Sequence, residues 1–326
     1  MTYSLGIKPF KDFWINCVFN MKFSILISIE PSFKYNSYLN NYIYEVLEIE
    51  TSTGTKVNYL NLSALCIFDT SWKSDSLFSS EPINFKHDNN YLNLIKRLVS
   101  EGNMIVVGVD LFYWIPNSIC WNKHHWNHYS LINGFNDEKK VFYVLDENRK
   151  GFNEYEIPEE RFCLAINNST LDPNGFICKV SNDIKRFKLS LDDVIINSRK
   201  LIDNLNKMKN NSLFQFSNRD LKERHMMDLF AMYISQIENR QKANKLLFYA
   251  MQDEKLITEN DIMDTLIKYA IELHDYWSIV KSKFVKVYFS YDNQSAIIEI
   301  NEICDSLFCK EQEMWNKLLG YTQNME

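Results

Sequence analysis

Two side chains in this sequence have the types and the spacing of the base and the acid of a catalytic triad. His128 opens and Asp146 closes a predicted hairpin, in which strands at 128–135 and 140–146 flank turn residues at 136–138. Antiparallel strands bring the start of the first beside the end of the second, so the two side chains can meet. An imidazole held by a carboxylate can activate a neighbouring nucleophile.

Cys17 is the candidate for that nucleophile. It stands near the start of a predicted helix that continues into the apolar run Phe23–Ile29. Unpaired N–H groups at a helix start and a nearby imidazolium both favour a thiolate, and the same N–H groups can bind the oxyanion of a tetrahedral intermediate. A helix that carries the cysteine, followed by a sheet that carries His128 and then Asp146, is the order of papain-like enzymes. Taken alone, Cys17 also fits a small buried hydrophobic residue.

The segment from residue 102 to residue 146 resembles a known family. Its motifs are Gly102–Pro116, His125-x-x-His128, Gly134-Phe135-Asn136-Asp137 and Tyr143-Val144-Leu145-Asp146. They are similar to those of the N-terminal domain of butirosin biosynthesis protein H and its relatives, including transamidases of the closthioamide type. That family has a papain-like fold and passes an acyl group from a carrier-protein thioester to an amine in natural-product pathways. The resemblance implies Cys17 as nucleophile, His128 as base and Asp146 as the orienting acid.

Aromatic and polar side chains in the same region are candidates to line the acyl site, because ligand clefts combine aromatic walls with a few polar groups. The predicted substrate-binding residues are Asp110, Tyr113, Trp114, Trp121, His125 and Trp126. Asp110 either contacts substrate or caps the loop after its strand. His125 either donates a hydrogen bond to substrate or holds that loop.

A zinc site is the alternative interpretation of the loop before the hairpin. Cys120, His124, His125 and His128 are four potential ligands within a short Trp-rich segment. They do not form two separated ligand pairs, and the glutamate of a His-Glu-x-x-His motif is missing. We therefore expect neither a metal nor another cofactor, and a zinc hydrolase remains a rival to the thiol enzyme.

The composition indicates a folded protein that does not bind nucleic acid. The chain has 326 residues, of which 46% are hydrophobic and 14% aromatic, enough for one or two cores. A formal charge of -6 provides no basic footprint for nucleic acid. Acidic carrier proteins would therefore need a local basic patch rather than the overall field.

Cysteine usage and hydropathy predict a cytoplasmic protein without a membrane anchor. The seven cysteines have no framework spacing, which fits a reducing compartment. The segment Met1–Lys8 lacks the basic and apolar regions of a secretory signal. The most apolar runs, Phe23–Ile29 and Met104–Val109, are far shorter than the ~20 residues of a membrane span.

Strand patterns dominate before about residue 185 and helix patterns after it, which predicts two domains of an α+β protein. Residues 1–185 form the predicted papain-like catalytic domain, with helices at 17–29, 37–47 and 90–101 and an antiparallel sheet. Residues 186–326 form a predicted bundle of four or five helices. Their starts are marked by Ser190, by Ser217–Asp220 and by Thr258–Asp261. With no flexible linker between the halves, we expect the bundle to dock on the catalytic domain.

The sequence as a whole predicts an amide-forming acyltransferase that uses a Cys-His-Asp triad. Its predicted partners are an acyl or peptidyl carrier protein and a small amine. A cysteine peptidase, amidase or thioesterase would use the same three residues with water as the acceptor. A third alternative is a non-catalytic protein that binds a natural product.

Overall fold

The computed structural model describes residues 1–39, 42–50, 56–64, 72, 74–88, 90–148, 150–210, 214–216, 224–289 and 294–323. The fold is α+β, as predicted, and the chain divides into two compact units. The first unit is Met1–Lys34 with Cys66–Phe187, and the second is Tyr35–Leu65 with Lys188–Glu326. The predicted helix start at Ser217–Asp220 lies outside the described residues.

The described residues contain nine strands. They are β1 (Thr2–Ser4), β2 (Tyr42–Glu50), β3 (Lys56–Ala64), β4 (Phe78–Ile83), β5 (Met104–Asp110), β6 (Asn127–Asn136), β7 (Val141–Asn148), β8 (Gly151–Pro158) and β9 (Gly175–Val180). Seven of them form the sheet of the first unit, in the order β4-β9-β5-β6-β7-β8, with β1 beside β6. Every neighbouring pair is antiparallel. The predicted hairpin is therefore confirmed as β6 and β7, near the centre of this sheet.

The described residues also contain eight α-helices. They are α1 (Cys17–Ile29), α2 (Phe33–Leu39), α3 (Tyr91–Ser100), α4 (Glu159–Asn168), α5 (Leu191–Asn210), α6 (Arg224–Asp253), α7 (Asn260–Phe289) and α8 (Gln294–Gln323). The predicted helix at 37–47 is wrong over its second half, where the chain forms strand β2. There the pairing with β3, in which Tyr44 lies opposite Leu62, overrides the local helical pattern.

A bulge in β6 joins the N-terminal segment to the sheet. The register against β7 shifts between Ile132 and Gly134. A Cβ at Gly134 would lie 2.3 Å from the backbone oxygen of Tyr3 in β1, so only glycine permits this close approach. Beside it, the Asn133 side chain accepts a hydrogen bond from the backbone of Ile7 and donates one back to it, both at 3.0 Å. The chain that leads to α1 is thus attached directly to β6.

The second unit combines the β2–β3 hairpin with helices α5 to α8. A buried carboxylate, Glu311 of α8, accepts hydrogen bonds from the Tyr44 hydroxyl at 2.7 Å and from Nε of Arg240 at 3.1 Å. The Tyr233 hydroxyl donates to the backbone oxygen of Leu60 at 2.5 Å. These bonds explain why Tyr35–Leu65 groups with the helices, although the sequence assigned it to the first domain. No helix within the described residues is long and apolar enough to span a membrane.

Candidate active site

Cys17 is the first residue of α1, and the residues before it fix the start of that helix. Asn16 is the N-cap: its side chain accepts a hydrogen bond from the backbone N–H of Phe19 at 2.9 Å. The buried Asn20 side chain accepts from the N–H of Ile15 at 2.9 Å and donates to the carbonyl of Phe13 at 3.0 Å. The helix packs against β6 and β7 with its middle fully buried. The partly exposed Cys17 thiol is therefore held at a defined point.

His128 lies between Cys17 and Asp146. Its Nε2 is 3.0 Å from Oδ1 of Asp146, and the Cys17 sulfur lies close enough to the ring to influence its charge. Since Asp146 occupies Nε2, the nitrogen left for the sulfur is Nδ1. With a proton on Nε2 held by the carboxylate, Nδ1 is free to exchange a proton with the thiol. The structure thus brings together all three predicted members of the triad.

The Asp146 carboxylate is buried and receives two further hydrogen bonds. The indole Nε1–H of Trp114 donates to Oδ2 at 2.8 Å, and the backbone N–H of Glu147 donates to Oδ1 at 2.8 Å. Both donors leave the carboxylate with little freedom to rotate. Asp146 consequently holds the His128 ring in one orientation rather than exchanging partners with solvent.

The surroundings of His128 favour its charged form. Burial of the ring lowers the pKa of His128, but the Asp146 carboxylate, its hydrogen bond to the ring and the nearby Cys17 sulfur outweigh it. The pKa of His128 therefore lies well above its ordinary value of 6.5. Only 11% of the His128 side chain is exposed, so this charge is carried in a largely dry setting. A positively charged imidazole beside a cysteine side chain is the arrangement that a thiol nucleophile requires.

Two residues that the sequence analysis missed border the triad. Trp14 donates a hydrogen bond from its indole nitrogen to the Glu147 carboxylate. Burial, and next the charge of Asp146, raise the pKa of Glu147. Their positions in the chain were a usable signal, since one lies just before the nucleophile and the other just after the acid.

Asp110 and His125 form a second carboxylate–imidazole pair. Oδ2 of buried Asp110 is 2.7 Å from Nδ1 of His125, while its Oδ1 accepts from the backbone N–H groups of Phe112 at 3.1 Å and Trp126 at 3.3 Å. The His125 ring stacks on Phe112 with centroids 4.4 Å apart. Asp110 thus does cap the loop after its strand, and it holds His125 as well.

The remaining predicted substrate-binding residues have different environments. Tyr113 is half-buried against Phe112, with ring centroids 4.9 Å apart. The Trp121 ring lies beneath the guanidinium group of Arg161, 4.8 Å from its centroid. Trp126 is 66% exposed. These three side chains reach the surface or the region just below it, where a ligand can touch them.

Trp114 requires a correction. It was predicted to line the acyl site, but its side chain is completely buried within the core of the first unit. Its ring packs against Phe162 with centroids 5.6 Å apart, and its one polar atom is used by Asp146. A buried indole needs a hydrogen-bond acceptor, and the triad carboxylate provides it. Trp114 therefore supports the triad from behind.

The histidines of the loop do not gather into a zinc site. His128 pairs with Asp146 and His125 with Asp110, so their rings are held on different carboxylates. Among the residues that the structure describes, no three His, Cys, Asp or Glu side chains are arranged to hold a metal ion. Cys120 lies within electrostatic range of both His128 and Asp110, and burial raises the pKa of its thiol.

The chain matches no protein-family model and no curated protein.

Proposed function

We propose that this protein is a papain-like acyltransferase that forms amides through an acyl-Cys17 intermediate. The observation that supports this most is His128, a largely buried imidazole that is hydrogen-bonded to Asp146 and lies within electrostatic reach of Cys17. A cysteine at a helix start, an imidazole in contact with it and a carboxylate behind the imidazole have the three roles of a thiol triad. The described cysteines are free thiols, as a nucleophile in the reducing cytoplasm requires.

The first half of the proposed reaction acylates the enzyme. The Cys17 thiolate attacks the carbonyl carbon of a thioester, and the N–H groups at the start of α1 face the developing oxyanion. The carbon–sulfur bond to the donor then breaks. The departing thiol takes the proton that His128 holds, which leaves the imidazole neutral and Cys17 acylated.

The second half transfers the acyl group to an amine. The amine nitrogen attacks the acyl carbon, and neutral His128 takes a proton from that nitrogen while the bond to Cys17 breaks. An amide and the starting pair of thiolate and imidazolium result. Asp146 keeps the imidazole oriented through both halves.

The resemblance of residues 102–146 to the butirosin biosynthesis protein H family supports the choice of substrates. It favours a donor carried as a thioester on an acyl or peptidyl carrier protein, and a small amine as the acceptor, in the assembly of a natural product. The exposed aromatic side chain of Trp126, in the loop between β5 and β6, is suited to contact the acyl chain or the amine.

The proposal is tested by incubating the full chain with an acyl N-acetylcysteamine thioester and following acylation by intact mass and peptide mapping. We expect acylation at Cys17 and its discharge to an amide when an amine is added. Cys17→Ala should lower turnover by about 10³-fold or more, because the nucleophile is lost. Cys163→Ala is the matched control, since Cys163 is a partly buried cysteine of α4 in the same unit.

Two results would contradict the proposal. Turnover by Cys17→Ala near the wild-type rate would remove Cys17 from the reaction. Release of the free acid alone, with every amine tried, would make water the acceptor and the protein a hydrolase.

A further inference from the structure

The pair of Asp110 and His125 lies at the end of the strand that neighbours the His128 strand. Asp110 ends β5, the neighbour of β6, and in the register of these strands Val109 is opposite His128 and Asp110 is opposite Asn127. Asp146 lies on β7, on the other side of β6. The two carboxylate–imidazole pairs thus occupy the same end of three consecutive strands.

The two imidazoles are exposed to different degrees. His128 is 11% exposed and faces a thiol, whereas His125 is 65% exposed. Asp110 itself is buried, and Phe112 stacks on the His125 ring at an interplanar angle of 9°. A fixed ring whose outer edge reaches solvent can take a proton from an arriving molecule and then release it to water.

The proposed reaction releases one proton more than His128 accepts. A basic amine arrives at neutral pH as an ammonium ion, and it must lose two protons to become an amide nitrogen. Water loses only one when it attacks the same acyl-enzyme. His128 takes a single proton in the second half of the reaction, so a second acceptor near the amine is useful for aminolysis and superfluous for hydrolysis.

We propose that His125, oriented by Asp110, takes the first proton from the ammonium group of the acceptor. This inference rests on the proposed function and extends it to acceptors that are charged in solution. An N–H bond of the ammonium ion breaks, and the proton moves to Nε2 of His125. The neutral amine then forms a C–N bond with the acyl carbon, the bond to Cys17 breaks, and the second proton moves to His128. His125 finally returns its proton to solvent.

Asp110 is a positioning residue in this scheme. Its contact with Nδ1 fixes the ring and leaves Nε2 as the nitrogen that exchanges protons. The same carboxylate also holds the loop through the N–H groups of Phe112 and Trp126. A test must therefore separate proton transfer from loss of the loop.

Two acceptor amines of different charge separate proton transfer by His125 from loss of the loop structure. Propylamine is almost entirely protonated at pH 7, whereas methoxyamine is neutral there and has no first proton to lose. The full chain is acylated with an acyl N-acetylcysteamine thioester, and amide formation from each amine is measured for the wild type and for His125→Phe, which keeps an aromatic ring against Phe112. We expect the ratio of propylamine to methoxyamine turnover to fall by about 10-fold or more. Asp110→Asn should lower the ratio less, and raising the pH should restore it in both variants.

The outcomes distinguish this inference from the proposed function. Equal losses with both amines would assign His125 to holding the loop, and an unchanged ratio would exclude it from proton transfer; either result overturns the inference. Failure of the wild type to form acyl-Cys17 would instead overturn the proposed function itself. Circular dichroism checks the fold, and His125→Gln, which retains a donor toward Asp110, gives the same comparison if the phenylalanine variant does not fold.

Discussion

Each unit contains a buried carboxylate that accepts a hydrogen bond from a tryptophan indole, and the two centres are used differently. Asp146 accepts from Trp114 at 2.8 Å, and Glu311 accepts from Trp315 at 3.3 Å. The cation beside Glu311 is Arg240, which stays charged at any pH that proteins experience. The group beside Asp146 is an imidazole with a thiol on its other side. A carboxylate that pairs with a permanent cation stabilises a fold, and one that pairs with a titrating ring can support proton transfer.

A substitution at Asp146 is expected to change activity more than any other considered for the two centres. Asp146→Asn should lower the rate of Cys17 acylation by about 10²- to 10⁴-fold, because the amide no longer holds His128 in the required tautomer and orientation. The rate is measured with the thioester donor by intact mass. Asp183→Asn, an exposed position of the same unit, is the control. A rate within a few-fold of wild type would show that Asp146 does not orient the base.

A substitution at Glu311 is expected to change the stability of the protein. Glu311→Gln should destabilise the protein by about 3–5 kcal/mol, since Arg240 is left as a buried charge without its carboxylate. Denaturant unfolding followed by circular dichroism measures the change. Glu313→Gln is the matched control, because Glu313 lies on the same helix and is exposed. Equal unfolding midpoints for both variants would contradict a structural role for the Glu311 centre.

Replacing each indole with phenylalanine measures what its hydrogen bond to the buried carboxylate contributes. Trp114→Phe removes a hydrogen bond to a charged group and should cost about 1.5–3 kcal/mol in stability. It should also slow acylation, because Asp146 gains freedom to turn. Trp315→Phe removes a longer bond and should cost less, with no change in acylation. A loss of stability without a loss of rate in Trp114→Phe would make that indole purely structural.

The smallest expected effect is a difference in pH dependence. Because the pKa of His128 is raised in the folded protein, its stabilising contribution is fully present below pH 6.5 and is lost as the pH rises through the raised value. Burial raises the pKa of the Tyr44 hydroxyl, so the Glu311 centre loses stability only above about pH 10.

Denaturant unfolding at a series of pH values checks this difference. The stability gap between wild type and His128→Gln should narrow from pH 7 upward, whereas the gap between wild type and Tyr44→Phe should stay constant up to about pH 10. A stability difference between wild type and His128→Gln that widens with rising pH would contradict a raised pKa of His128 in the folded protein.

The parts of the site that sequence predicted best are those encoded by local patterns. The alternation of apolar residues around a turn predicts β6 and β7, and the continuous apolar run after Cys17 predicts α1. Once these elements are placed, antiparallel pairing brings His128 near Asp146. Cys17 joins them because α1 packs on the same two strands.

The parts that sequence did not predict depend on tertiary burial. An aromatic residue after a strand fits both a ligand wall and a core, and only packing against Phe162 and the bond to Asp146 decided the place of Trp114. The segment from Tyr42 has no local feature that distinguishes a helix from a strand as strongly as its pairing with β3 does. Residue types and spacing therefore predicted which polar side chains lie together better than they predicted which aromatic side chains are buried.

The order in which the triad residues leave the ribosome has its own consequence. Cys17 is made first, His128 follows more than a hundred residues later, and Asp146 is made last of the three. The loop between them must close before the thiol meets an imidazole, and that closure depends on the strands that carry the partners. A nascent or truncated chain that ends before β7 therefore lacks the carboxylate of the triad. Under the proposed function, an acyl donor meets the assembled triad only on a chain in which β6 has paired with β7.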